Sequence, residues 1–152
     1  MGINFQNVSY KYSKKASKEA IFNINLEIAE KDEFIFIVGH TGSGKTTLVQ
    51  HLNALLLPTS GHLSINAKTI YANVKNKGLK QLRKTVGLVF QFPEYQLFEE
   101  TILKDIAFGP QNFGISEQEA YKISQEMIVR VGLDKSYLSK SPFECSGGEK
   151  EE

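Results

Sequence analysis

The 152-residue sequence has no tryptophan, a single cysteine and almost no net charge. Because Cys145 cannot form an internal disulfide, a reducing compartment is the simpler assumption. With 18 basic and 17 acidic residues the formal net charge is +1, which gives no electrostatic case for nucleic acid or an acidic membrane as a partner. We therefore expect an ordinary globular chain with no nucleic-acid partner.

Signals for membranes and metals are missing too. The first residues lack the basic and then apolar pattern of a signal peptide, and no apolar run approaches the length of a membrane span. Gln6 spoils an N-myristoylation pattern at the N-terminus. His40, His51 and His62 lack metal-ligand spacing, so we interpret them as ordinary polar positions. We expect a soluble chain that reaches a membrane only through partners.

The sequence does contain a glycine loop between an apolar run and a helix. Residues 39–46 match the phosphate-binding pattern of Gly, four residues, Gly, Lys and Ser or Thr at every fixed position. The preceding run, 34–38, is predicted to be a strand buried in a parallel sheet, and a helix is predicted from Leu48 to Pro58. The residues expected around a polyphosphate are Gly39, His40, Thr41, Gly42, Ser43, Gly44, Lys45, Thr46 and Thr47.

Each part of this loop has a chemical task. The amides from Gly42 to Thr47, at the start of a helix, can receive a polyphosphate. Lys45 would reach the β- and γ-phosphates as a point charge, and the Thr46 hydroxyl would take one place on a Mg²⁺ ion that keeps most of its water. The alternative is a chance match in a flexible loop, which both flanking patterns argue against.

Two alternating segments precede the loop. Val8, Tyr10 and Tyr12 alternate with polar residues, and residues 22–28 alternate again with Phe22 as the first member of the apolar face. The two patterns predict two antiparallel strands with one wet face. Either tyrosine could stack on a purine base. The spacing alone favours rings that pack in the core.

Downstream of the loop the pattern predicts a short strand at 62–66, a helical turn at 79–84 and an apolar strand at 86–90. The last strand runs into Gln91. Since ligands sit at the carboxyl ends of parallel strands, Gln91 would lie close to the phosphates, or it is an exposed loop residue.

Two amphipathic helices follow. Thr101 caps the first, which Gly109-Pro110 is predicted to close, and a capping box of Ser116 and Glu119 begins the second. The apolar stripe of the second helix is interpreted as core.

The chain resembles the ATP-binding subunits of ABC transporters over essentially its whole length. The glycine loop, Gln91 and residues 145–149 carry this resemblance. The resemblance implies an α/β fold with a P-loop NTPase (RecA-like) core. Residues 1–91 would form that core with an antiparallel β subdomain, and residues 92–148 a helical subdomain. It also implies that Tyr12 stacks on adenine, which reverses the preference drawn from spacing.

The resemblance further implies roles for two distant segments. Gln91 matches the glutamine that senses Mg²⁺ and the γ-phosphate and touches the transmembrane partner, so Lys45 and Gln91 would be the catalytic residues. Ser146, Gly147 and Gly148 match the signature motif, which binds the γ-phosphate of the ATP held by the opposite subunit.

Residues 39–45 and 105–114 are similar to the A subunits of energy-coupling factor (ECF) transporters, and His40-Thr41 is closer to the second of the two paralogues. Such subunits bind ATP and Mg²⁺ as a homo- or heterodimer at the cytoplasmic face of the membrane. Their partners are a transmembrane coupling protein and a substrate-capturing membrane protein. The resemblance implies ATP-driven uptake of a vitamin or metal ion.

The sequence also departs from the family pattern. Cys145 replaces a leucine, and the sequence holds neither an apolar strand ending in Asp-Glu nor a switch histidine after it. Asp134, the nearest acidic candidate, follows a helix end and has no second acid. We therefore expect a fold that is incomplete at the C-terminus, whose alternative function is that of a catalytically inactive nucleotide-binding fragment. Another P-loop kinase or GTPase is disfavoured by the absence of a guanine-reading Asn-Lys-x-Asp.

Overall fold

A four-stranded antiparallel sheet is built around the first strand of the chain. β1 (Ile3–Tyr10) lies between β2 (Ile21–Ile28) and β3 (Ser60–Ile65), and β4 (Lys68–Tyr71) pairs with β3, giving the order β2-β1-β3-β4. The computed structural model describes residues 2–29 and 34–145. They divide into two compact units, Met1–Leu88 and Val89–Glu152, and the sheet belongs to the first.

The sheet covers the core of the first unit with one of its faces. Alternating side chains of the strands are buried there, because successive residues of a strand point to opposite faces. These side chains are Ile3, Phe5, Val8, Ile21, Leu63, Ile65 and Ile70. The predicted antiparallel strands with one buried face are thereby confirmed, and β4 is an element that the sequence analysis missed.

The prediction for Phe22 is wrong. Its side chain is 73% exposed, whereas that of Ile21 is buried. Asn23 has a φ of 49°, and the register between β1 and β2 shifts around Val8 and Tyr10. An irregularity of this kind moves neighbouring side chains to the other face of a strand, so alternation counted from Ile24 fails at Phe22.

The described part of the first unit also contains two helices. α1 (Lys45–Leu52) begins at the end of the glycine loop, and α2 (Leu79–Thr85) is the predicted basic helix. α1 ends six residues before Pro58, because Asn53 leaves the helical region and Ala54 has a φ of 55°.

The two apolar runs predicted to be parallel strands are not strands here. Residues 34–38 and 86–90 belong to no helix or strand, and the side chains of Phe34 and Val38 are 98% and 88% exposed. A strand persists only where a neighbour pairs with its backbone groups. Within residues 2–29 and 34–145, nothing pairs with either run.

The second unit is helical. α3 (Ile102–Asn112) and α4 (Glu117–Arg130) pack together through Ala107, Ala120, Ser124 and Ile128, all buried. Three short 3-10 helices accompany them: Pro93–Gln96, Lys135–Ser139 and Pro142–Glu144.

Both predicted caps of these helices are present. The side chain of Thr101 accepts a hydrogen bond from the Lys104 amide, and that of Ser116 accepts one from the Glu119 amide. α3 continues beyond Gly109-Pro110 to Asn112, so its predicted end was too early. No helix in the part of the chain that the structure describes is long and apolar enough to cross a membrane.

Gly61 is required where β3 crosses a bulge in β1. It has a φ of 72°, and a Cβ there would collide with the carbonyl oxygens of Gln6 and Asn7. The register between β1 and β3 shifts at this point, between Gln6 and Ser9. Only glycine lets the two backbones approach so closely.

We expect Gly61→Ala to lower the free energy of unfolding by about 2 kcal/mol or more, since it combines a left-handed backbone with a clash against main-chain atoms. Urea unfolding followed by circular dichroism measures this. Gly87→Ala is the matched control, because a Cβ at Gly87 meets no atom within 4 Å. Equal unfolding midpoints for the two variants would contradict the prediction.

Candidate functional site

The glycine loop is held against the start of β2. Gly44, the residue before α1, has a φ of 92°, and a Cβ there would lie 2.7 Å from the Ala20 carbonyl oxygen and 3.0 Å from the Ile21 side chain. The loop also closes on itself through a hydrogen bond from the Ser43 amide to the His40 carbonyl, 3.2 Å. The sheet thus fixes where α1 begins.

A row of main-chain donors is left without protein acceptors. Among the described residues, the amides of Gly42, Gly44, Lys45, Thr46 and Thr47 donate to no protein acceptor, and α1 takes up its first amide at Leu48. Such amides carry the positive end of the helix dipole. A polyphosphate anion has the charge and the acceptor oxygens to satisfy them.

Lys45 folds back along the loop. Its Nζ donates to the carbonyl oxygens of Gly39 at 2.7 Å and His40 at 2.9 Å. An ammonium group has three donors, so one remains for an anion. The two loop carbonyls therefore hold the charge of Lys45 beside the row of free amides.

A pocket of about 250 Å³ lies in front of these groups. Tyr12, beyond the end of β1, stands at its edge with 64% of its surface exposed. The Tyr12 hydroxyl shares a hydrogen bond of 2.9 Å with Thr47 Oγ1. An exposed ring that is fixed beside a row of free main-chain amides has the chemistry to stack on a base. The pocket is lined by Tyr12, Ala20, Gly42, Ser43, Gly44, Lys45, Thr46 and Thr47.

The interpretation of His51 as an ordinary polar position is wrong, because its side chain is 0% exposed. Nδ1 donates to the Thr47 carbonyl at 2.7 Å, since a carbonyl only accepts, and Nε2 has no partner. Burial lowers the pKa of His51 below its ordinary value of 6.5, against a smaller opposing effect of the hydrogen bond to Thr47. A signal was available in the sequence: His51 is four residues after Thr47 and one before Leu52, on the core-facing stripe of α1.

Further predicted site residues belong to the second unit. Gln91 belongs to the second unit, in a bend before the first 3-10 helix, and is exposed. Ser146, Gly147 and Gly148 lie outside the described residues. Asp134 caps a 3-10 helix: its Oδ1 accepts from the Ser136 amide at 2.8 Å, and this bonding lowers the pKa of Asp134.

Thr46, a predicted metal ligand, lies beside the free amides. It is exposed, and its hydroxyl is bonded to no protein atom in the described ranges. Those ranges contain no cluster of three or more His, Cys, Asp or Glu side chains that could hold a metal ion. One hydroxyl suits Mg²⁺ where phosphate oxygens and water supply the remaining ligands.

The glycine loop, the helix that it opens and the adjoining sheet place the chain in the P-loop class of nucleotide-binding proteins. Within that class it belongs to the ABC transporter family, which matches residues 21–152. The resemblance seen in the sequence is thereby confirmed, and with it the α/β fold class.

Two named relatives are ECF transporter ATP-binding proteins. The EcfA2 protein of Enterococcus faecalis is 54% identical over 151 residues, which are 98% of this chain and 52% of the relative. EcfA2 of Streptococcus pyogenes is also 54% identical over 98% of this chain, and 54% of it is covered. The chain thus spans about half the length of the curated relatives it matches.

Solved structures have the same fold. The ATP-binding cassette MJ0796, in a dimeric post-hydrolysis state bound to ADP and Pi, superposes with a TM-score of 0.80 at 28% identity over 97% of this chain and 65% of that one. CbiO1 of Clostridium perfringens, part of the ABC transporter complex cbiONQ, gives 0.74 at 31% identity over 97% and 57%.

The buried imidazole makes the stability of the chain depend on pH. Its pKa in the folded chain is below the unfolded value of 6.5, so the unfolded chain takes up the proton first. The contribution of neutral His51 to the free energy of unfolding is fully present above pH 6.5 and is lost as the pH falls below that value. From β1, Tyr10 faces the ring, and burial raises the pKa of this phenol, which stays neutral throughout.

We expect His51→Phe to lose less stability than the parent between about pH 7.5 and about pH 5.5, because phenylalanine takes up no proton. Urea unfolding at both pH values checks this. The parent chain, measured at the same two pH values, is the reference. Parallel pH curves for His51→Phe and the parent would contradict the prediction.

Proposed function

We propose that this chain is the nucleotide-binding part of an ATPase subunit of an ECF-type ABC transporter. The observation that carries the proposal is the row of free amides beside Lys45, in a chain 54% identical to proteins named ECF transporter ATP-binding proteins. The whole protein would couple ATP hydrolysis to membrane uptake of a vitamin or metal ion. In this proposal residues 1–91 and 92–148 are the core and helical subdomains of one cassette.

The triphosphate is assigned to the pocket in front of α1. The amides of Gly42 and of residues 44–47 would receive the phosphate oxygens, and Lys45 would neutralise the β- and γ-phosphates. The Thr46 hydroxyl would complete the coordination of Mg²⁺, which polarises the phosphates when bound. His40 and Thr41 would contribute the exposed rim of the loop, and Gly39 its entry.

The base is assigned to Tyr12. A stacked ring binds adenine without reading its hydrogen-bonding edge. The bond between Tyr12 and Thr47 ties this ring to the helix that carries the phosphate-binding amides. Base and phosphates would therefore be held by adjoining parts of one unit.

The remaining roles concern the assembled transporter. Gln91 would sense Mg²⁺ and the γ-phosphate and touch a transmembrane coupling protein. Ser146, Gly147 and Gly148 would bind the ATP of a second ATP-binding subunit, in a homo- or heterodimer. A substrate-binding membrane protein would complete an assembly at the cytoplasmic face of the membrane.

A catalytically inactive nucleotide-binding module is the second candidate. Two observations favour it: the side chain of Asp134 is engaged as a helix cap, and residues 34–93 contain no acidic side chain. Phosphoryl transfer needs a group that orients the attacking water. Phosphate release from ATP, measured on the 152-residue chain with Mg²⁺, tests this second candidate: sustained turnover would exclude it.

We expect Lys45→Ala to weaken the binding of MgATP by at least about tenfold, since it removes the cation next to the free amides. Isothermal titration calorimetry measures the affinity. Lys68→Ala is the matched control: Lys68 is a lysine of the same unit, on β4, that does not line the pocket. Unchanged MgATP affinity in a folded Lys45→Ala chain would overturn the phosphate assignment.

We expect Tyr12→Ala to lower the affinity for ATP by about tenfold and to leave the affinity for inorganic tripolyphosphate unchanged. Stacking contributes about 1–3 kcal/mol and involves only the base. The same titration with both ligands tests this. Tyr71→Ala serves as the control, since Tyr71 is an exposed tyrosine on β4 of the same unit. An equal loss for both ligands would remove Tyr12 from the base site.

A further inference from the structure

The inference concerns the polar side chain that is buried beneath the candidate base site. His51 is fully buried on α1, and its Nε2 has no hydrogen-bond partner. An unpaired buried lone pair is costly, and a leucine at this position would avoid that cost. The contacts of the imidazole indicate what it does there.

Four residues form a closed ring of contacts, in which Thr47 contributes both its main-chain carbonyl and its hydroxyl. His51 Nδ1 donates to the carbonyl of Thr47 at 2.7 Å, and Thr47 Oγ1 bonds to the Tyr12 hydroxyl at 2.9 Å. Tyr10 closes the ring from the other side. Its ring centroid lies 5.1 Å from that of His51 and 5.0 Å from that of Tyr12, both in edge-to-face geometry.

This ring ties an exposed side chain to a rigid one. Tyr12 follows β1 and is largely exposed, so on its own it would sample several rotamers. His51 is packed on all sides and has one tautomer, because only Nδ1–H can donate to the Thr47 carbonyl. His51 therefore restricts the orientation of Tyr12 in two ways, through hydrogen bonds that involve Thr47 and through aromatic contacts with Tyr10.

We propose that His51 is a positioning residue for the base-binding ring of Tyr12. It does not touch the nucleotide. It acts through Thr47 and Tyr10 to restrict the Tyr12 ring to one orientation at the edge of the pocket. The Tyr12 side chain therefore loses less rotamer freedom when a base stacks on it. This inference rests on the proposed function, since it deepens the assignment of the base to Tyr12.

The test compares two ligands on the 152-residue chain: ATP, and inorganic tripolyphosphate, which has no base. His51→Phe keeps an aromatic ring beside Tyr10 but removes the Nδ1–H donor. We expect this variant to lower the affinity for ATP by about fivefold and to change the affinity for tripolyphosphate by less than about twofold. His62→Phe is the matched histidine control, since His62 stacks on Tyr71 of β4, and should change neither affinity.

A double-mutant cycle distinguishes a positioning role of His51 from a general effect of His51 on the fold. Once Tyr12 is replaced by alanine, His51→Phe should have no further effect on ATP, because its partner in the coupling is gone. An ATP loss that persists in the Tyr12→Ala background would overturn the proposal. An equal loss for both ligands, or none for either, would overturn it as well.

Tyr12→Phe keeps the test decisive if His51→Phe does not fold, because Tyr12 is exposed and its hydroxyl is no part of the core. Removing that hydroxyl breaks the bond to Thr47 while the ring remains. We expect ATP to bind about threefold more weakly and tripolyphosphate as before. Unchanged ATP affinity in Tyr12→Phe would overturn the proposal.

Failure of the proposed function gives a different result. A parent chain that binds no tripolyphosphate, or binds it equally well after Lys45→Ala, has no phosphate site of the kind proposed. Tripolyphosphate binding that depends on Lys45, together with no ligand-selective effect at His51, overturns the positioning role alone.

Discussion

The need of α1 for acceptors at its first turn is the constraint on which the site depends. A helix leaves its first amides unpaired, and proteins usually satisfy them with a capping side chain. Here Gly44 takes the capping position and offers no side chain, so the amides stay open. That arrangement costs stability in the chain by itself, and a bound anion would offset the cost. In the proposed function the loop therefore serves a ligand rather than the fold.

Local features of the sequence predicted this much correctly. The glycine pattern gives the loop, since its spacing dictates where the chain turns and where Lys45 emerges. The alternation of β1 gives a strand with one buried face, and Thr101 and Ser116 give the starts of α3 and α4. In each case the determining contacts lie within a few residues of one another, so the sequence contains all the information needed.

Features that depend on distant partners were not predictable in this way. Residues 34–38 have the composition of a buried strand, but a strand exists only where another strand pairs with it, and composition does not supply the neighbour. The predicted burial of Phe22 was wrong because the bulge near Asn23 depends on how β1 and β2 pair. The interpretation of His51 was wrong for a related reason, since its burial follows from the packing of α1 against Tyr10.

Net charge misleads for the same reason, because it averages over the chain. The first unit has 12 basic and 5 acidic residues, a net charge of +7, and the second has 6 and 12, a net charge of −6. Residues 34–93, which contain the glycine loop, have seven cations and no carboxylate. Taken by itself, the first unit has a net charge that would favour the approach of a triphosphate, although the whole chain is nearly neutral. The overall charge of +1 therefore hides a charge difference between the units that the proposed function would use.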